Sequence, residues 1–399
     1  MKSDTQQSTS NASTVDPFQC HVCGSRKIRF IEEYQRFHRV TSDCKPWPTG
    51  GKLLACEECG CVQKAIDLAW QQEIDEIYAN YSIYHQGGGT EQPVFDQNSG
   101  QSASRSSLLI DKLSSKLPLP ETGRLLDIGC GNGALLRAFS HRFPQWGMIG
   151  TELNEKYRSQ VESILGVESM KTCAPGDIDG TFDIITMVHV LEHVPNPISF
   201  LHKLRSKLDE QSLLVIEVPN YLRNPFDLLI ADHSTHFTAD SLSSVVRAAG
   251  FHVEFVTTEW IAKELTLVAT KSGEDKDMAS IHPLKEETHA LLTLSWLDLL
   301  VRESQALAKQ NTFGIFGTSI AGTWLHQELN GRASLFLDED PSRVGKLYMG
   351  IPVYRPKDVP PGSLVYLPTP SDFGSPLKHR LQDLLKESRV HTAPSLTAP

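Results

Sequence analysis

The sequence predicts an α/β chain: two doubly wound sheets behind a small cysteine-rich module. Three observations carry this reading. Residues 124–133 read Arg-Leu-Leu-Asp-Ile-Gly-Cys-Gly-Asn-Gly, an apolar run ending in an acid and alternating glycines, and the helical pattern Ala134–Phe139 follows at once. A strand, a glycine turn and a helix start are how an α/β sheet cradles a nucleotide-like ligand. Residues 312–322 repeat the device, with a strand-and-acid stretch, Ala333–Pro341, after the next helix. At the front, Cys20-His21-Val22-Cys23-Gly24 and Cys56-Glu57-Glu58-Cys59-Gly60 form two matched knuckles.

The chain has 399 residues, too many for one ordinary core, so several domains are expected. Residues 1–16, rich in Ser, Thr, Gln and Asn, read as a disordered head. The expected divisions are a zinc-binding module at 17–75, a central sheet domain at 76–275, and a smaller Rossmann-like domain at 285–399. A net charge of −10 argues against a nucleic-acid partner, since phosphate recognition calls for a basic surface. A small-molecule substrate is expected instead. No run approaches the ~20 apolar residues that span a bilayer, and the N-terminus has no apolar signal core, so no membrane is expected and the cytoplasm is the expected compartment.

The Cys-x-x-Cys spacing lets both thiolates of a knuckle reach one ion, with the glycine easing the turn beneath them. Four thiolates suit tetrahedral Zn²⁺ in a closed, structural site. The expected ligands are Cys20, Cys23, Cys56 and Cys59, with Cys61 as the rival in the second pair, Cys44 to spare and His38 as a substitute. So short a segment depends on its metal to fold.

A helical pattern over Ile66–Tyr78 leads to Tyr81–Gly89, which reads as a loop closing over a site or as a plain linker. The central strands are expected at Arg124–Ile128, Gly147–Thr151, Phe182–Met187 and Ser212–Val218, with a closing pair near His252–Thr257 and Leu265–Thr270. Helices between them predict a mostly parallel sheet covered on both faces. The stretch Pro219–Thr238 leaves the carboxyl end of a strand, where open α/β sheets bind ligands. His233, beside Asp232, is a candidate general base because imidazole titrates near neutrality. His236-Phe237-Thr238 reads as packing and capping for the helix Ala239–Ala249. An amphipathic helix is expected at 285–310. The C-terminal glycine turn reads either as a phosphate cradle or as scaffold.

The glycine spacing departs from the dinucleotide G-x-G-x-x-G pattern, and Asp127 precedes the first glycine. A carboxylate there repels a diphosphate and suits a cationic ligand such as S-adenosylmethionine. The segment resembles motif I of the class I S-adenosylmethionine-dependent methyltransferases. Glu152, 23 residues after Gly129, stands where such folds place the ribose-binding carboxylate. Phe182–Val194 resembles their fourth strand and the loop after it. The resemblance implies a Rossmann-like methyltransferase sheet, with cofactor contacts at Asp127, Gly129, Gly131, Asn132, Gly133, Glu152 and His189.

Zinc module, methyltransferase and second Rossmann-like domain, in that order, resemble the nucleotide-sugar C-methyltransferase family. That resemblance implies proton abstraction beside a keto group, attack of the enolate carbon on the methyl, and a nucleotide sugar as partner. The family's Tyr-His-Glu-His stretch is met here by Ile230-Ala231-Asp232-His233, keeping the acid and the last histidine. His233 is then the base and Asp232 its orienting acid, with Tyr84 a further catalytic candidate, since Tyr81 and Tyr84 loosely match a Tyr-x-Tyr. The alternatives are a small-molecule O- or N-methyltransferase and a non-catalytic sugar-nucleotide or zinc-dependent binding module.

Overall fold

A computed structural model describes residues 16–82, 91, 93–95, 102–271, 283–309, 312–385 and 387–396. Tyr84, the glycines at 87–89 and residues 1–15 lie outside the described residues.

The front module comprises β1 (Ile28–Ile31), β2 (Arg39–Val40), β3 (Pro46–Trp47), β4 (Leu53–Cys56) and β5 (Val62–Lys64). β4 runs antiparallel between β1 and β5. Helix α1 (Leu68–Ala79) starts two residues later than the apolar pattern suggests. The Asp67 side chain caps it, accepting from the Trp70 N–H, and a cap residue stands outside the helix. The hairpin β6 (Pro93–Phe95) and β7 (Ser102–Ser104) then leads into α2 (Arg105–Lys116).

The central sheet follows as β8 (Arg124–Ile128), α3 (Ala134–Arg142), β9 (Gly147–Thr151), α4 (Arg158–Glu162), β10 (Val167–Lys171), β11 (Phe182–Val188), α5 (Pro197–Leu204) and β12 (Leu208–Pro219). β13 (Thr235–His236) and α6 (Ala239–Ala248) then lead to its last strands, β14 (His252–Thr257) and β15 (Glu264–Thr270). Its order is β10-β9-β8-β11-β12-β15-β14. The first five strands are parallel, and β15 is antiparallel to both neighbours. This is a mixed α/β, Rossmann-like sheet, as expected. One strand is additional. β10 is an edge strand reading Val-Glu-Ser-Met-Lys, in which Met170 alone is fully buried, so it lacks an apolar signal.

β13 does not join the central sheet. It pairs antiparallel with β5, setting Thr235 opposite Gln63 and His236 opposite Val62. The loop after β12 therefore completes the front sheet, in the order β1-β4-β5-β13. That pairing brings Lys64 to the carboxyl end of the central strands.

Helix α7 (Pro283–Ala308) leads to β16 (Phe313–Phe316), α8 (Ile320–Glu328), β17 (Leu335–Leu337), β18 (Leu347–Tyr348), β19 (Ile351–Tyr354), β20 (Leu364–Pro370), α9 (Ser371–Leu384) and β21 (Arg389–Ala393). The sheet order is β18-β19-β17-β16-β20-β21, parallel except for β18 at one edge. One buried cluster joins the front module to this part: Tyr34, Leu53 and Val62 pack with Trp296, Phe313 and Trp324.

Candidate active site

The site begins at the turn after β8. Gly129, Gly131 and Gly133 all have positive φ, at 69°, 53° and 80°. A Cβ on Gly129 would meet Val190 Cγ2 at 2.5 Å, so that position needs glycine for space as well as for φ. Asp127 is buried and accepts from Thr186 Oγ1 at 2.7 Å. Burial, with Glu152 adding to it against that hydrogen bond, pushes its carboxyl up to about 7. Glu152 accepts from the Gly131 N–H at 3.0 Å and the Leu153 N–H at 2.7 Å. The buried Asn132 receives Arg137 on its carbonyl at 2.8 Å. Six of the expected cofactor residues thus gather at the carboxyl ends of β8 and β9, and His189 stands apart after β11. Bare backbone, a buried acid and a strand-end carboxylate suit S-adenosylmethionine, whose sulfonium is cationic and which has no phosphate to repel.

Val190 packs on this turn, so the residues around it open a second cluster. His189, also at positive φ, has Nδ1 3.2 Å from Glu192 Oε1, and Nε2 3.9 Å from Glu217 and 3.7 Å from Glu264. None of these is aligned as a hydrogen bond: His189 Nε2, both Glu192 oxygens, Glu217 Oε1 and Glu264 Oε2 are buried without a hydrogen-bond partner. Arg105 reaches Glu217 and Glu264 at 3.8 Å. Burial is the largest cause raising all three glutamates, and it pushes Glu192 up to about 8.

His233 is 2% exposed in this cluster. Its orienting acid is not the one expected. His233 Nδ1 lies 2.7 Å from Asp227 Oδ1, and His236 Nδ1 lies 2.7 Å from Asp227 Oδ2. Asp232 instead accepts from the backbone N–H and hydroxyl of Ser42. The reason is geometric: the turn before β13 aims Asp232 back at the front module, while the short helical turn at Pro225–Leu229 presents Asp227 to both rings. Burial works to raise the Asp227 carboxyl, but the two histidines outweigh it and hold it well below the usual range. An ionised Asp227 only accepts, so both Nδ1 atoms carry protons. His233 is raised, its own burial being outweighed by Asp227.

His236 also departs from its expected packing and capping role. Its Nε2 lies 2.9 Å from Lys64 Nζ, which donates to the Leu228 carbonyl at 2.6 Å. Thr238 caps α6 through a reciprocal pair with Ser241. His193 Nδ1 lies 3.0 Å from the Asp232 carbonyl and 3.2 Å from the Tyr78 hydroxyl. Sequence reasoning missed Asp227, Lys64, Glu192 and His193. The spacing His189-x-x-Glu192-His193 was the one signal in view.

Four sulfurs converge elsewhere. Cys20, Cys23, Cys56 and Cys59 bring their Sγ atoms within 4.8 Å of one another, with Cys20–Cys59 at 3.4 Å and Cys23–Cys56 at 3.5 Å. Zn–S bonds of 2.3 Å would space tetrahedral sulfurs roughly 3.8 Å apart. Cys61 is outside this group, and His38 faces Glu328.

Comparison with known proteins agrees with this geometry. A family model described as a methyltransferase domain matches residues 102–255. Over 167 residues the chain is 27% identical to a ubiquinone biosynthesis O-methyltransferase of Xanthomonas campestris pv. campestris, covering 40% of this chain and 66% of that protein. Over 119 residues it is 28% identical to a trans-aconitate 2-methyltransferase of Variovorax paradoxus, covering 29% and 45%. The chain thus spans less than two thirds of either relative. A solved S-adenosylmethionine-dependent methyltransferase from Clostridium acetobutylicum is similar at a TM-score of 0.36 and 11% identity, covering 51% of this chain and 98% of that one, a likeness too weak to add to the assignment. The central sheet is a class I S-adenosylmethionine-dependent methyltransferase domain. No helix among the described residues is long and apolar enough to cross a membrane.

Proposed function

We propose that the protein transfers a methyl group from S-adenosylmethionine to an oxygen of a small molecule, with His233 making that acceptor nucleophilic. The observation that carries the reading is the buried Asp227–His233 pair at 2.7 Å, in a cluster that starts from Val190 on the glycine turn. S-adenosylmethionine supplies an activated methyl on a good leaving group. The chain's task is then to align the reactants and draw the proton from the acceptor. Gly129–Gly133, Asp127 and Glu152 hold the donor, with His189 as a further donor contact. Asp227 fixes the His233 tautomer and ring plane, and the Lys64–His236 pair fixes Asp227 from behind. Replacing His233 with Ala should lower turnover by roughly 10²- to 10⁴-fold, the usual size of a proton-transfer contribution, while calorimetric affinity for S-adenosylmethionine stays unchanged. Turnover equal to wild type would remove His233 from the reaction.

C-methylation of a nucleotide sugar is the second reading. It is favoured by the second parallel sheet with its Gly317 turn, where Thr318 and Arg343 meet Asp338. Ile230 and Ala231, both buried and apolar, weigh against it, because the resembled family has polar side chains there. Turnover on a panel of 4-keto nucleotide sugars beside a panel of phenols and carboxylic acids separates the two readings. Residues 17–75 form a module held by a structural Zn²⁺ on Cys20, Cys23, Cys56 and Cys59, a reading supported by the convergence of the four sulfurs.

A further inference from the structure

We propose that Glu192, His193 and His233 hold a divalent transition-metal cation at the acceptor end of the cofactor cleft. The inference rests on the methyl-transfer reading for its use, but not for its existence.

One ligating atom from each of the three residues lies within 4.8 Å of the other two. Two imidazoles and one carboxylate are a borderline donor set that suits Mn²⁺, Co²⁺ or Zn²⁺ better than Ca²⁺. Three protein ligands leave coordination positions open, as in catalytic rather than structural sites.

The surroundings are those of metal-binding histidines. Such a ring passes its second N–H to a carboxylate or a backbone carbonyl, which fixes the tautomer. His233 gives Nδ1 to the Asp227 carboxylate at 2.7 Å, and His193 gives Nδ1 to the Asp232 carbonyl at 3.0 Å. The two rings stand edge to face, with centroids 4.6 Å apart. Glu192 is 1% exposed, and neither of its carboxylate oxygens has a hydrogen-bond partner. A buried carboxylate left in that state is costly unless a ligand completes it. Further acidic groups gather behind: Asp227, Asp232, Glu217 and Glu264, with Asp227 held ionised by its two histidines, against Arg105 and Lys64. The neighbouring group Asp227, His233 and His236 needs no ion, because hydrogen bonds between its members account for its geometry.

The acceptor this site takes is a hydroxyl compound. Its oxygen occupies an open coordination position, where the cation lowers its pKa and its proton leaves to solvent. The oxygen then bonds to the methyl as the sulfur–methyl bond breaks, and the electron pair returns to sulfur. With the cation bound, His233 makes the acceptor nucleophilic as a ligand, through the ion, instead of taking the proton itself.

Mn²⁺ is the probe, because it prefers nitrogen and oxygen donors over the four-thiolate site and its paramagnetic resonance reports binding without turnover. Full-length protein, dialysed free of loosely held metal, is titrated with Mn²⁺. One ion per chain is expected at the new site. Glu192→Gln and His193→Gln should each weaken it by roughly tenfold or more, and Asp227→Asn, acting through His233, by roughly 10- to 100-fold. Calorimetry with S-adenosylmethionine on each variant reports that it is folded. No Mn²⁺ bound by the wild type, or equal affinity in folded Glu192→Gln, overturns the site. A chain that needs His233 for turnover but binds no Mn²⁺ keeps the transfer reaction and loses the cation. A chain that binds Mn²⁺ through these residues yet methylates no small molecule does the reverse.

Discussion

Asp227 holds two imidazoles with one carboxylate, and the orientation of His233 follows from that single residue. Asp127 is the other buried acid with a measurable consequence. Its folded carboxyl is raised to about 7, so the protonated form stabilises the fold. That contribution is complete below the unfolded pKa near 3.9 and is lost as pH rises through about 7. Urea unfolding of the cofactor-free protein should therefore show stability falling across this window, at up to about 1.4 kcal/mol per pH unit. Asp127→Asn should make the decline shallower, the raised Glu192 and Glu217 supplying the rest, and an unchanged profile would remove Asp127 as a source. Local pattern made Asp127 legible, since it ends an apolar run before three glycines. Asp227 was not legible: its partners come from a turn and a strand, six and nine residues on, and, through His236, from Lys64, and no periodicity encodes that meeting.

Element boundaries were read best where burial is two-sided. β8 and β9 lie at the expected residues because continuous apolar runs are what central parallel strands require. β10 escaped because an edge strand can carry Glu168 and Lys171 without cost. The helix α6 owes its start to the Thr238–Ser241 capping box. Thr238→Ala should cost about 1 kcal/mol in thermal or chemical unfolding, and no loss would show the cap to be redundant.

Taken whole, the molecule ties its front module to both sheets. β5 pairs with β13 and so carries Lys64 to His236, while Tyr34, Leu53 and Val62 share a core with Trp324. The order of the three parts was legible in the sequence. Their interlocking was not, because it depends on β13 leaving the sheet its neighbours belong to. Trp324, fully buried, should cost roughly 3–5 kcal/mol when replaced by Ala. In a protein interlocked this way, limited proteolysis of that variant should open the front module together with the C-terminal sheet; release of one alone would show them to be independent. Cys56→Ser should disturb β5, and with it Lys64 and Asp227, lowering methyl transfer more than donor affinity. A parallel loss of both would place the effect in general unfolding.

The central claim is that the turn at Gly129–Gly133 binds a methyl donor. Calorimetric titration of S-adenosylmethionine into the full chain tests it most directly. One site per chain is predicted, abolished by Gly129→Val, whose side chain would have to enter the space held by Val190. No heat of binding, or binding that survives the substitution intact, would contradict the account.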